Sequence, residues 1–302
     1  MTIRLLRTLV AVADAKTFSA AAARVHVTHA AVSQQMQTLE ADLGVTLFNR
    51  STRTPELTPL GRQIVIKARD VIAAYDNLVP SVLAEDGVGG ALALGAMPTT
   101  LTGLTPRAMA VLKARFPLIG LHIRPGLTGA LLAEVARGTL DAAIISKPQL
   151  IPPGLTFRPL ATERMHLIAA RQETEKSALV LLQSRPFIRF NRNAVMGTII
   201  DTWLRANRID VRETMELDSP EAVISMVHEN LGVSIVPALA VPASGSPDVR
   251  RLDLGMQAPE RIVGLIQPDA PVKTRALDAV HAALVQVIAS AKDAAQGGGN
   301  GG

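Results

Sequence analysis

Short, neutral side chains that can contact DNA bases are grouped at the start of one predicted helix. The set consists of Thr28, His29, Ala30, Ser33, Gln34 and Gln37. No carboxylate lies among them, so nothing in this stretch repels phosphate. Gln can pair with adenine through two hydrogen bonds, and Ser or Ala can approach the methyl group of thymine. The sequence therefore predicts that this stretch enters the major groove of DNA.

A polar loop with two arginines follows this helix. Arg50 and Arg53 lie between a short apolar strand at Leu47-Phe48 and a turn at Leu57-Thr58. Arginine can bind phosphate through two parallel hydrogen bonds, or it can enter a narrow minor groove. The loop is therefore predicted to be a wing that contacts the DNA backbone beside the helix.

Three helices must position these groups. A first helix is indicated by the apolar face of Leu6, Leu9, Val10 and Ala13. A second helix over residues 20–25 is expected to follow the N-cap Ser19, and a third follows the N-cap Thr28 and ends at Gly44. The core-facing stripe of the third helix consists of Val32, Met36, Leu39 and Leu43. The second helix, the turn and the third helix form a helix-turn-helix.

The residues around these helices occur in a specific order. They run from Leu6 through Phe18-Ser19-Ala20-Ala21-Ala22, Val32-Ser33-Gln34-Gln35, Leu39-Glu40, Leu43-Gly44, Leu47-Phe48, Arg50 and Arg53 to Leu57-Thr58-Pro59-Leu60-Gly61. In this order and spacing the chain resembles the LysR-type transcriptional regulators. The layout matches over nearly the whole chain, and the specific motifs lie in residues 1–61. At His29 and Ala30 the chain departs from the family, which often carries Gln and Pro or Ser there.

One long helix is predicted from residue 61 to residue 86. Its apolar seam consists of Ile64, Ala68, Val71, Tyr75, Leu78 and Val82, spaced as in a coiled coil. At ~1.5 Å per residue the helix is roughly 35 to 40 Å long, comparable to one turn of DNA. Two copies could therefore hold their base-contacting helices, here called reading heads, in successive major grooves. The alternative is a helix packed on its own domain. Pro80 is expected to kink the helix.

Beyond a glycine-rich hinge at residues 87–90, strands alternate with helices. Strands are predicted near residues 91–96, 119–125, 141–146, 164–170, 187–190, 212–217, 233–236 and 261–266. Helices are predicted near residues 103–115, 128–138, 195–207, 219–231 and 273–292. Such alternation implies parallel sheets with ligand sites at the strand ends. The family resemblance implies two small α/β subdomains, similar to periplasmic solute-binding proteins, with an effector cleft between them.

Loops that lead from a strand into a helix suit a carboxylate, because helix N-termini offer free N–H groups. The family resemblance places effector contacts at Thr99, Thr100 and Thr128, and a third such loop contains Asn191. Lys147 and Arg192 are candidate counter-ions for an acidic effector. For each residue the alternative is structural: a threonine that only caps a helix, or a solvated surface charge. A neutral or aromatic effector also stays open.

These patterns predict an α+β multidomain protein. Its parts are a winged helix-turn-helix DNA-binding domain (1–61), a linker or dimerisation helix with a hinge (62–90), an α/β effector-binding domain (91–295) and a disordered tail (296–302). The effector domain is expected to divide into one subdomain of residues 91–161 with 267–295 and another of residues 162–266. The predicted partners are double-stranded DNA, a small-molecule effector, most simply a small organic acid, and further copies of the chain as a dimer or tetramer.

Composition restricts the remaining possibilities. The chain has 302 residues and a net charge of +5, and residues 1–69 alone, with nine Lys or Arg against four acids, also carry +5. The absence of cysteine excludes disulfides, thiolate catalysis and cysteine-ligated zinc. The start of the chain lacks the pattern of a signal peptide, and no apolar run approaches about 18 residues. A cytoplasmic location without membrane contact is therefore expected.

The rival interpretations are an α/β enzyme or a solute-binding module with an accessory nucleic-acid-binding domain. Catalytic residues are hard to find for an enzyme. His26 and His29 are spaced as in some zinc sites but have no adjacent Glu or Cys, and Ser244-Gly245-Ser246 lacks the context of a nucleophile elbow. A solute-binding protein would leave residues 1–61 without a role. The sequence therefore predicts a non-enzymatic, effector-responsive regulator that needs no cofactor or metal.

Overall fold

A computed structural model of the chain describes residues 1–49, 56–76, 78–79, 88–237 and 248–297, the last six of these for the backbone alone. The chain divides into two compact units. One contains residues 1–90 with 137–139, and the other contains residues 91–136 and the chain from 140 onward. Within the described residues no helix is long and apolar enough to cross a membrane.

Three helices form the core of the first unit: α1 (Ile3–Ala15), α2 (Phe18–Arg24) and α3 (His29–Leu43). Their buried side chains include Leu6, Leu9, Val12, Val32, Met36 and Leu39. The predicted caps of α3 are confirmed, because the Thr28 hydroxyl accepts a hydrogen bond from Ala31 N at 3.1 Å and Gly44 adopts a left-handed conformation. The short alanine-rich α2 lets the three helices pack closely around this core.

The N-cap of α2 is Thr17, so the prediction of Ser19 is wrong. The Thr17 hydroxyl accepts a hydrogen bond from Ala20 N at 3.2 Å, and Thr17 itself is extended. The ring of Phe18 packs edge-on against Phe48 at 5.4 Å between centroids. This packing fixes Phe18 inside the first turn, so the helix begins two residues earlier than its alanine run suggests.

After α3 the chain forms an antiparallel strand pair and a long helix. The elements are β1 (Phe48–Asn49), β2 (Glu56–Leu57) and α4 (Pro59–Asp76). Helix α4 begins two residues before the predicted start, with Pro59 at its first position and the Thr58 hydroxyl accepting from Gly61 N at 2.9 Å. Residues 78 and 79 are also helical. Pro80 and Val82, and with them the predicted kink, lie outside the described residues.

At Gly61, helix α4 lies against the backbone of Leu47, the residue before β1. A Cβ at this position would lie 2.4 Å from the carbonyl oxygen of Leu47, a backbone atom that cannot move aside. Gly61→Ala should therefore lower the free energy of unfolding by about 1 to 3 kcal/mol, as overpacking against fixed atoms does. Urea denaturation measures the change.

Gly44→Asn is the matched control, because Gly44 has open space around it and Asn tolerates its positive φ of 66°. Equal stabilities of the Gly61→Ala and Gly44→Asn variants would show that the close approach at Gly61 is unimportant.

The second unit alternates strands and helices. Its strands are β3 (Gly90–Ala96), β4 (Ile119–Pro125), β5 (Ala142–Ser146), β6 (Leu155–Ala170), β7 (Pro186–Phe190), β8 (Arg212–Leu217), β9 (Ser234–Pro237), β10 (Val249–Asp253) and β11 (Glu260–Pro268). Its helices are α5 (Pro98–Leu101), α6 (Leu104–Arg115), α7 (Thr128–Ala136), α8 (Ala178–Ser184), α9 (Val195–Ala206), α10 (Pro220–His228) and α11 (Thr274–Gly297). The sequence patterns do not predict α5, α8, β10 or the first half of β6, because these segments are short or lie on a solvated surface.

Two sheets share the long strand β6. The first has the order β4-β3-β5-β11-β6, and the second half of β6 pairs with β10 and β9. Strands β7 and β8 are parallel, and a bridge from Phe187 to Val233 joins them to the segment that enters β9. The expectation of parallel sheets is therefore wrong in part. Strands β3 and β5 are parallel, but β11 returns from the second sheet and so runs antiparallel to both β5 and β6.

Each sheet has its own apolar core. The first includes Leu131, Val135, Ile145 and Ile266, and the second includes Leu167, Leu181, Phe187, Ile200 and Val223. Leu127, which precedes α7 beside the first sheet, packs against the core of the second. The loop between β4 and α7 therefore lies where the two sheets meet.

Candidate nucleic-acid interface and effector site

One face of α3 exposes the side chains that the sequence predicts to contact DNA. Thr28, His29, Ala30, Gln34 and Gln37 are exposed, and Ser33 is half-buried. The opposite face carries Val32, Met36 and Leu39, which are buried in the core. Helical periodicity therefore brings all six predicted residues to one side of α3, at its N-terminal end.

The start of α3 is held by several contacts. His26 in the preceding turn has a φ of 54°, a left-handed conformation, and Val27 N donates to Ala22 O at 3.0 Å. The ring of Phe18 lies 6.0 Å from that of His29. These contacts fix the angle at which α3 leaves α2.

Glu40 is the first acid of α3, and it has a structural role. Its Oε1 accepts hydrogen bonds from Leu47 N at 2.7 Å and Phe48 N at 3.1 Å. The carboxylate thereby binds the backbone that enters β1, where Asn49 pairs with Glu56 across the ladder. The strand pair flanks the predicted wing. Arg50 and Arg53 themselves lie outside the described residues, so their role stays a prediction.

Helix α4 is buried at its start and carries exposed apolar side chains further along. Val65 and Ala68 belong to the core of the first unit. In contrast, Val71, Tyr75 and Leu78 are 48%, 57% and 63% exposed. Exposed apolar side chains at coiled-coil spacing are typical of a face that packs against another helix, and the role of this face in dimerisation stays a prediction.

The predicted effector threonines lie at the carboxyl ends of the first sheet's strands. Thr99 and Thr100 follow β3 and Thr128 follows β4, and all three are buried. A hydrogen bond from Gly126 N to Ala96 O, 3.2 Å long, brings the two loops side by side. The three threonines therefore belong to one region, which the loop before α7 places where the two sheets meet.

The hydroxyl groups of Thr99 and Thr100 have different partners. Thr100 Oγ1 donates to Met97 O at 2.9 Å and accepts from Thr105 Oγ1 at 3.1 Å. Thr99 Oγ1 accepts a hydrogen bond from Arg261 Nη1 at 2.9 Å. Thr100 therefore holds its own loop together, whereas Thr99 connects the loop to a buried guanidinium group.

Sequence reasoning missed this guanidinium and its carboxylate partner. Arg261 on β11 donates from Nε to Oε2 of Glu163 on β6 at 2.5 Å, and Ser146 at the end of β5 lies beside the same cluster, donating to Met97 Sδ at 3.4 Å. Burial lowers the pKa of Arg261 from its ordinary value, and the charge of Glu163 opposes that shift. One feature of the sequence could have indicated this buried charge: Arg261 lies on the same face of its strand as the apolar Val263 and Leu265.

The other predicted effector residues lie in two places. Lys147 follows β5, at the same edge of the first sheet as the threonines, and is exposed. Asn191 and Arg192 follow β7, which pairs with β8, and the Asn191 amide donates to Asp218. The structure does not bring them to the threonines through any contact it describes.

The charge of Arg192 is already paired. Arg192 N and Nε donate to Glu216 at 2.9 and 3.2 Å, and its Nη2 contacts Glu213, which also pairs with Arg189. The hydrogen bond from Arg189 is the largest cause that holds the pKa of Glu213 below its ordinary value. Arg192 therefore belongs to an ion-pair network at the end of β7 and β8.

No group of three His, Cys, Asp or Glu residues suited to a metal ion occurs in the part of the chain that the structure describes. His26 and His29 flank the turn before α3, where they orient the helix, and Ser244-Gly245-Ser246 falls outside the described ranges.

Comparison with known families gives two matches that together span most of the chain. A model described as "Bacterial regulatory helix-turn-helix protein, lysR family" matches residues 3–62, and one described as "LysR substrate binding domain" matches residues 85–289. A probable RuBisCO transcriptional regulator of Cyanophora paradoxa is 30% identical over 265 residues, which are 83% of this chain and 78% of that protein.

Two further comparisons agree. A probable hydrogen peroxide-inducible genes activator of Mycobacterium avium is 31% identical over 278 residues, 88% of this chain and 87% of that protein. The solved structure of a full-length OxyR variant from Pseudomonas aeruginosa superposes with a TM-score of 0.71 at 25% identity and covers 94% of each chain. The resemblance thus extends over both units.

Proposed function

The chain belongs to the LysR family of bacterial transcriptional regulators, and we propose that a small organic acid is the effector that controls its binding to DNA. Regulators of this family bind DNA, respond to small molecules and assemble into oligomers, and they are not enzymes. What remains to be proposed is which residues read DNA, which bind the effector, and what the effector is.

The reading head is α3. We propose that Thr28, His29, Ala30, Ser33, Gln34 and Gln37 contact the major groove, and that Arg50 and Arg53 bind phosphate from the wing. The observation that carries this proposal is the exposed, acid-free face at the start of α3, whose angle is fixed by the caps and the ring of Phe18. Its first carboxylate, Glu40, is occupied with the backbone of β1.

Binding measurements with two kinds of variant test this division of roles. Ser33→Ala or Gln34→Ala should cost about 1 to 3 kcal/mol on the cognate site and little on random duplex, because base contacts carry the specificity. Arg50→Ala or Arg53→Ala should weaken binding to every duplex and reduce the slope of log K against log salt by about one, because a phosphate contact releases counter-ions.

The matched control is Gln183→Ala, which removes the same amide from an exposed position of α8 in the other unit. It should leave both affinity and salt slope unchanged. Unchanged salt slopes in both arginine variants would show that the wing assignment is wrong.

The effector region lies within the second unit. We propose two subdomains, one around each sheet, with the effector between them at Thr99, Thr100 and Thr128. The expected division into residues 91–161 with 267–295 and residues 162–266 needs one correction, because β11 pairs with β5 and so belongs to the first sheet. The buried threonines and the adjoining helix starts suit a carboxylate. Lys147 is an available counter-ion, whereas the pairing of Arg192 with Glu213 and Glu216 makes it a poorer one.

The effectors that are mentioned in the names of the relatives cannot be assigned to this chain from similarity alone. A response to hydrogen peroxide through a thiol is chemically impossible for these 302 residues, because they contain no cysteine. A ligand bound by hydrogen bonds and charge is the alternative that the described residues support.

The mechanism that we propose is a change in the angle between the subdomains. Strand β6 belongs to both sheets, and the chain returns from β10 in the second sheet to β11 in the first. A ligand that binds one arrangement of the sheets better than another shifts the population of that arrangement. In an oligomer such a shift alters the spacing of the reading heads on DNA. The site of action that we propose is the cytoplasm, where bacterial DNA is.

A further inference from the structure

A buried ion pair lies at the point where β6 passes from one sheet to the other. Arg261 on β11 is directly opposite Glu163 on β6, and from Met165 onward β6 pairs with β9 and β10 instead. The side chains of Arg261 and Glu163 are 1% and 3% exposed. The pair therefore occupies the junction between the two sheets.

The same pair belongs to the proposed effector region. Arg261 Nη1 donates to Thr99 Oγ1 at 2.9 Å and lies 3.9 Å from Met97 Sδ. Thr99 follows β3 and Ser146 ends β5, and these two strands are parallel neighbours. Because ligands of α/β sheets bind at the carboxyl ends of parallel strands, this is the expected edge for a ligand.

Two atoms of the pair lack hydrogen-bond partners. Arg261 Nη2 and Glu163 Oε1 are buried and find no partner among the described residues. Buried donors and acceptors are nearly always paired, because leaving one unpaired costs much of its hydration free energy. The two atoms belong to groups that are joined through Nε and Oε2, and one offers N–H while the other accepts.

The charges decide which chemical group fits. The pair is neutral as a whole, so a carboxylate placed against Arg261 would also meet the negative charge of Glu163. A hydroxyl group matches the hydrogen-bonding capacity of both atoms, because it accepts one hydrogen bond and donates another.

We propose that the effector is a hydroxy acid. Its hydroxyl group accepts a hydrogen bond from Arg261 Nη2 and donates one to Glu163 Oε1, and its carboxylate binds at the threonine loops. This inference rests on the proposed function, in which an organic acid is the effector, and it adds the group that distinguishes that acid from others.

Three pairs of acids that differ by one hydroxyl group test the proposal: propionate and lactate, succinate and malate, glutarate and 2-hydroxyglutarate. Isothermal titration measures the affinity of each acid for the full chain. In at least one pair the hydroxy acid should bind about tenfold or more tightly than its partner, because hydrogen bonds to charged groups are the strong ones.

A double variant links this preference to the ion pair. Arg261→Met with Glu163→Leu replaces both charges by apolar groups of similar size, a change that buried pairs often tolerate. In this variant, the affinity for the hydroxy acid divided by the affinity for the acid without the hydroxyl group should fall to near one. The matched control, Arg158→Met with Asp278→Leu, removes the 2.7 Å ion pair between β6 and α11 and should keep the preference.

The outcomes separate the two hypotheses. If acids bind the wild-type chain but no pair shows tighter binding of its hydroxy acid, the hydroxyl assignment is wrong and the acid effector stands. If none of the six acids binds, the organic acid of the proposed function is wrong, and this inference is overturned with it. A hydroxy-acid preference that persists in the Arg261→Met, Glu163→Leu variant would also overturn the role of the pair. Cooperative thermal unfolding of the variant shows that it is folded, which is the one condition for this measurement.

Discussion

Val71→Asp combined with Leu78→Asp should lower operator affinity by about two to four orders of magnitude, although neither residue is near α3 in sequence. Val71 is exposed on α4, and Leu78 is exposed in the helical residues just beyond it. If these side chains form the dimer interface, as the sequence predicts, the variant places carboxylates in an apolar interface and separates the copies. Each copy then binds one half-site alone and loses the gain in effective concentration. Sedimentation velocity and operator titration measure the two effects.

A matched control distinguishes the interface from a general effect of charge. Leu179→Asp with Val180→Asp makes the same chemical change on α8, where the two side chains are 49% and 45% exposed. This variant should stay dimeric and keep its operator affinity. A Val71→Asp, Leu78→Asp protein that sediments as a dimer would show that α4 is not the main interface.

Thr128→Val should abolish the change in operator affinity that an effective acid of the six-acid panel produces in the wild-type protein. Valine keeps the shape of threonine and removes the hydroxyl group, so the acid loses a hydrogen bond at the start of α7. Operator binding without acid should stay near the wild-type value, because α3 and α4 belong to the other unit. The measurement is operator titration with and without acid, alongside the melting temperature.

Two other threonines complete this experiment. Thr100→Val leaves the buried Thr105 hydroxyl without its partner, so we expect it to lower the melting temperature as well as the response. Thr202→Val, on the exposed face of α9, should change neither. A wild-type response in the Thr128→Val protein would remove Thr128 from the effector site.

Local patterns in the sequence were sufficient to predict α3 and the side chains that it exposes. Thr28, Gly44 and the stripe of Val32, Met36 and Leu39 act within a few residues of one another, so α3 and its exposed face follow from helical periodicity. The N-cap of α2 is the exception. Phe18 packs on Phe48 and so lies within the helix, which makes Thr17 the cap, and helical periodicity alone does not predict this contact.

Long-range pairing set the limit of prediction in the second unit. Arg261 and Glu163 are 98 residues apart, and only the register of β11 on β6 brings them together. In the sequence, Arg261 stands at the start of an apolar strand, where a charged residue is usually solvated. Lys147 and Arg192 were the more obvious cations, yet one is exposed and the other is already paired with two glutamates.

Selection of bound duplexes from a random DNA pool measures sequence-specific recognition by this regulator most directly. The full-length chain should enrich one sequence with two-fold symmetry, with half-sites about one or more helical turns apart, because we propose that α3 reads bases and that α4 pairs two copies of it. Adding the effective acid should change the spacing or the affinity of the enriched sites. A pool that shows no enriched sequence after repeated selection, with protein that is folded and dimeric, would contradict the role of α3 as the reading head.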